Sequence, residues 1–87
     1  MSNTIEHKDM VAFHPGYYIA ETIQDMGITQ AEFALRLGTN VKTLSYLVNG
    51  QANITNDLAK KLSVMLGTSE ELWSNLQKEY DRRLVMM

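Results

Sequence analysis

Apolar positions recur along this chain at the spacing of helices. Ile19, Ile23 and Met26 fall at i, i+4 and i+7, one stripe of a 3.6-residue period. That stretch opens at Pro15, whose fixed φ suits a first helical position, and stops at Gly27. Ala31, Ala34 and Leu37 share the next face, with Phe33 on its flank, between Thr29 and Gly38. Thr29 followed by Glu32 reads as a capping box. A third stretch runs from Val41 to Val48, with Leu44, Leu47 and Val48 inward, Asn40 as N-cap and Asn49-Gly50 as a left-handed stop. Thr55 caps a fourth, with Asp57 in its first turn, a stripe of Leu58, Leu62, Met65 and Leu66, and a stop at Gly67. The fifth begins at Thr68 or Ser69, with Thr68 and Glu71 as a second candidate capping box. It lines up Leu72, Trp73, Leu76 and Tyr80 and is expected to fray past Arg82.

No period-2 run of β-branched residues is present, so no strand is expected. Five helices with short joints predict an all-α, compact five-helix bundle. Residues 1–12 are expected to be a loosely ordered tail, 13–82 the domain and 83–87 a C-terminal tail. The chain has 87 residues, enough for one small domain of the kind that often gains stability from a second copy.

Composition narrows the chemistry. Cysteine is absent, which removes disulfides and thiolate metal sites. His7 and His14 are not spaced as a helical metal pair, and His14 before Pro15 reads as a helix cap. There is no phosphate-binding glycine loop and no nucleophile elbow, so no catalytic role and no cofactor are expected. No apolar run reaches the ~20 residues of a membrane span, and the N-terminal residues lack the apolar core of a signal peptide, so a cytoplasmic protein is expected.

The net charge of −2 counts against a nucleic-acid binder until its distribution is read. Residues 29–68 carry Arg36, Lys42, Lys60 and Lys61 against Glu32 and Asp57, whereas both ends of the chain are acidic. The middle permits contact with DNA without demanding it. With Leu44, Leu47 and Val48 inward, the outward face of the third helix is Lys42, Ser45, Tyr46 and Asn49, and Val41 and Thr43 lie at its edges. Lysine and asparagine can bond phosphates or base edges, and tyrosine and serine can reach phosphate oxygens. Equally, any exposed helix face is polar. Helix, short turn at Gly38-Thr39-Asn40, then helix is the arrangement that puts its second helix into a major groove. Thr29 and Gln30 sit at the start of the first helix of that pair, where free N–H groups favour a phosphate.

The stretch "TQAEFALRLGTNVKTLSYLVNG" resembles the helix-turn-helix of the phage-repressor-like (XRE) family. The flanks "AFHPGYYIAETIQDMGIT", "NGQANITNDLAKKLSVMLGTS" and "EELWSNLQKEYD" resemble the HigA-type antitoxin branch, over about residues 13 to 81. The resemblance implies a sequence-specific repressor of its own operon that also neutralises a RelE-like ribonuclease toxin. It implies that Gln30 anchors a phosphate and that residues 39–43 (Thr39, Asn40, Val41, Lys42, Thr43) face the groove of a palindromic operator with Tyr46. Family members often carry arginine where this chain has Val41 and Tyr46, so arginine-to-guanine readout is missing there. Two alternatives stay open: a stand-alone phage-type repressor, and an inhibitor module that has lost DNA binding.

Proteins of this type dimerise to hold two reading helices about 34 Å apart. Trp73, Leu76 and Tyr80 on the last helix are the candidate seam of a homodimer, against the alternative that they pack within the domain. For the toxin, the acidic residues Glu6, Asp9, Glu21 and Asp25 and the pair Tyr17-Tyr18 are the candidate contacts, against the alternative of a solvated acidic face.

Overall fold

The computed structural model describes the backbone of residues 4–7 and 10–86 and the side chains of residues 13–85. Five helices follow a short ribbon: β1 (Thr4–His7), β2 (Met10–Phe13), α1 (Pro15–Met26), α2 (Gln30–Leu37), α3 (Val41–Val48), α4 (Asn56–Leu66) and α5 (Glu70–Met86). The helical domain is all-α, as the periodicity predicts.

The ribbon was not expected. β1 and β2 pair antiparallel with Thr4 opposite Phe13 and His7 opposite Met10, and β2 lies against α5. Strands of four residues are too short for a period-2 pattern to stand out, and their order comes from pairing and from α5 beneath. Residues 1–3, 8 and 9 of the expected tail lie outside the described residues.

The helix starts show which capping signals operate. Thr29 Oγ1 accepts from the Glu32 N–H at 3.1 Å, and Asn40 Oδ1 from the Thr43 N–H at 2.7 Å. The Thr29–Glu32 box is half formed, because the Glu32 carboxylate turns to Arg36 Nε at 2.8 Å. Thr55 Oγ1 caps α4 through the Leu58 N–H at 3.2 Å. At α5 the expected Thr68–Glu71 box gives way to Ser69, whose Oγ accepts from the Leu72 N–H at 3.1 Å. Thr68 is otherwise engaged: its hydroxyl accepts from Trp73 Nε1 at 2.8 Å. The left-handed residue after α3 is Gly50, at φ 74°, while Asn49 keeps φ −90°. Helix α5 runs to Met86, past Arg82, with Glu79 pairing to both Arg82 and Arg83 across one turn, so residues 83–86 belong to the helix.

Phe33, Ile19, Leu44, Leu47 and Leu62 are the fully buried centre. Phe33, expected on the flank of α2, is central, whereas Ala31 is exposed. Met26, the last residue of α1, is also exposed, at 38%. Two contacts fix the frame around α3. The first turn of α1 lies on the end of α3 so closely that a Cβ on Gly16 would stand 1.8 Å from the Leu47 carbonyl oxygen. From the other side, Lys61 Nζ of α4 donates to the Gly38 carbonyl at 3.0 Å and pairs with Asp57 at 3.1 Å, closing the end of α2.

Candidate nucleic-acid interface

Helix α3 is anchored by Leu44, Leu47 and Val48, all buried, so its opposite side is fixed by helical geometry. Lys42, Tyr46 and Asn49 are exposed on that side and Ser45 is half-buried between them. Val41 is 49% exposed and Tyr46 46%, and Thr43 is half-buried at the far edge. The turn contributes an exposed Asn40 and a half-buried Thr39, and the start of α2 an exposed Thr29 and Gln30. The ten candidate residues thus lie on the surface, around α3 and the N-terminus of α2, and none is buried.

Several polar atoms on this face already have partners. Thr29 Oγ1 and Asn40 Oδ1 are the two helix caps, and Asn49 Nδ2 faces Ser45 Oγ at 3.5 Å. Of the cations in the middle of the chain, Arg36 is held by Glu32 and Lys61 by Asp57, while Lys42 and Lys60 form no ion pair among the described residues. The positive charge this face can direct at an anion is therefore Lys42 together with the N–H groups opening α2.

The candidate dimer residues divide. Trp73 is 4% exposed and belongs to the core of its own protomer, with its N–H satisfied by Thr68, so it is corrected from seam to core. Leu76 packs against the same core and is partly buried. Tyr80 is half-buried with its ring edge-on to His14, centroids 4.9 Å apart. Among the described residues, the exposed large apolar groups of α5 are Leu72, Leu84 and Val85, the last 87% exposed.

Two buried polar residues hold the frame. His14 caps α1, its Nδ1 accepting from the Gly16 N–H at 2.9 Å. Its proton therefore sits on Nε2, which is buried with no hydrogen-bond partner. Burial pushes the His14 pKa down, and the nearby Ala52 carbonyl and Asp81 carboxylate recover only part of the shift. Gln77 went unnoticed in the sequence. Its Oε1 accepts from the Ile54 N–H at 2.7 Å, and its Nε2 donates to Asn53 at 3.3 Å and Asp81 at 3.0 Å, tying the loop after α3 to α5. The one available signal was its place a turn after Trp73, on the buried stripe of α5.

An exposed, cap-anchored α3 set across α2 by a short turn is the architecture of a helix-turn-helix protein. The helix-turn-helix family model matches residues 19–73, and the chain belongs to that family, in its phage-repressor-like (XRE) type. Antitoxin HigA-1 of Vibrio cholerae is 38% identical over 61 residues, which cover 70% of this chain and 57% of that protein. An addiction module antidote protein of the HigA family from Coxiella burnetii superposes with a TM-score of 0.82 at 31% identity, over 85% of this chain and 82% of that one. Pseudomonas aeruginosa antitoxin HigA, solved with the higBA promoter, superposes with a TM-score of 0.80 at 31% identity, over 84% and 80%. The family is one of regulators and antitoxins, not of enzymes. No helix among the described residues is long and apolar enough to cross a membrane, and no group of potential metal ligands occurs among them.

Proposed function

We propose that this protein is a HigA-type antitoxin that binds a palindromic operator in its own promoter as a homodimer and neutralises a RelE-like ribonuclease toxin. The observation that carries the DNA half is the free side of α3, with Lys42 and Tyr46 exposed while Leu44, Leu47 and Val48 hold the helix from behind. Lys42 and the opening of α2 at Gln30 supply phosphate contacts, and Val41, Thr43 and Tyr46 face the groove. A mobility-shift titration on the upstream DNA at two salt concentrations tests it. Groove binding through phosphates weakens steeply as salt rises, and binding indifferent to salt, or none, favours the inhibitor module without DNA binding.

The toxin half is supported by the HigA relatives and by one surface feature. Phe13, Tyr17 and Tyr18 form a half-buried aromatic cluster, with ring centroids 5.3 Å apart for Phe13–Tyr17 and 5.6 Å for Tyr17–Tyr18. Exposed Glu21 and Asp25 follow on α1. Aromatic rings beside carboxylates suit the basic surface of a ribonuclease. Co-purification with the product of the neighbouring gene is expected, and a failure to recover it leaves the stand-alone repressor.

A further inference from the structure

Some of the hydrogen-bonding groups around the outward face of α3 already have partners inside the protein. Asn40 Oδ1 accepts from Thr43, which leaves only its amide NH2 for a ligand. Ser45 and Asn49 face each other. Helix α3 carries no arginine, so the forked contact to guanine O6 and N7 is absent. Beside them the face presents exposed apolar surface. Val41 is the first residue of α3, where reading helices reach base edges, and it is half exposed. Tyr46 lies one turn after Lys42 on the same side and is about equally exposed. Neither side chain is needed by the core.

The apolar group that a major groove offers is the 5-methyl of thymine. We infer that Val41 and Tyr46 are specificity-determining residues that read thymine 5-methyl groups, so that sequence preference here comes from methyl contact instead of guanine hydrogen bonding. This rests on the DNA-binding reading above. Lys42 supplies attraction to the duplex, and the isopropyl group of Val41 and the ring of Tyr46 decide where along it the helix settles. Closing one methyl against an apolar side chain takes about as much surface from water as one buried methylene, which corresponds to about fourfold in affinity.

The test uses the full chain and a duplex of the DNA upstream of its gene. Thymines are replaced one at a time by deoxyuridine, which removes the methyl and leaves the Watson–Crick edge intact. Binding is expected to weaken about fourfold at one or two positions in each half-site and to stay unchanged elsewhere. Val41→Ser and Tyr46→Ser should each abolish the uracil effect at one of those positions, a coupling that a merely weakened protein does not show. Replacing guanines by 7-deazaguanine should change affinity by less than about twofold, since no forked donor reads N7. Tight, salt-dependent binding that is indifferent to every uracil overturns the inference while leaving the repressor intact. So does a large loss with 7-deazaguanine, or a uracil effect that persists in both variants. Absence of salt-dependent binding by protein with a normal helical melt overturns the DNA-binding reading itself, and this inference with it.

Discussion

At the scale of single residues, two features of "HPG" are explained by contact. Gly16 is required because α1 and α3 meet backbone to backbone, with no room for a methyl beside the Leu47 carbonyl. Gly16→Ala should destabilise the fold by about 1–3 kcal/mol or more, as overpacking does. Gly67, at φ 72° with nothing within 4 Å of an added Cβ, should cost only the left-handed strain of about 1 kcal/mol when changed to alanine. Thermal melts of the two variants check the order, and equal losses would contradict the close contact. His14 gives a pH dependence of definite sign. Its folded pKa lies below 6.5 because it is buried, so as pH falls the unfolded chain takes up the proton first. The stability it supports is full above 6.5 and is lost as the pH drops through the folded value. Protonation also puts a hydrogen on Nδ1, where the Gly16 N–H now donates. His14→Asn keeps an acceptor for that N–H and should flatten the fall in denaturation free energy as the pH drops below 6.5. Parallel pH curves for the two proteins would contradict this.

At the scale of elements, the joints of α3 matter more than its propensity. An eight-residue helix is marginal alone, and this one is held by its Asn40 cap, by Gly16 over its end and by the loop that follows it. That loop is fastened by Gln77, so Gln77→Ala leaves the buried Ile54 N–H without its partner. A loss of about 1–3 kcal/mol in urea denaturation is expected. The outward face can be changed with little effect on the fold. Lys42→Ala should leave the melting temperature within about 1–2 °C of the parent, because surface changes of this kind stay within about 0.5 kcal/mol. It should weaken binding to all duplexes alike and lower the slope of log K against log salt by about one unit. An unchanged slope would move the phosphate contact away from this lysine.

At the scale of the molecule, burial redraws the surface a second copy could use. Trp73 is inside the protomer, and truncation to alanine should cost about 3–5 kcal/mol of stability regardless of assembly. At the end of α5, Leu84 and Val85 are exposed apolar groups on which a second copy could pack, in line with the homodimer proposed above. Val85→Glu should shift light scattering from two chains to one at micromolar concentration without lowering the helical signal. A one-chain mass for the parent would remove the homodimer, and with it the paired reading helices.

Much of this was legible in the chain before it was folded. Stops at Gly27, Gly38 and Gly67 and caps at Thr29, Asn40 and Thr55 are local, set by φ preference and by hydrogen bonds spanning three residues. The outward side of α3 followed from the same period, because a helix buried on one stripe must expose the other. What needed the tertiary structure was any choice between two sites of similar chemistry. Thr68 abandoned its capping role for the Trp73 N–H, Gln77 found partners 23 and 24 residues away, and Trp73 rather than Leu72 turned into the core. Local sequence fixes what a residue can bond and which side of its helix it occupies. Which neighbour arrives there depends on how the helices cross, and that is decided by packing among residues far apart in the chain.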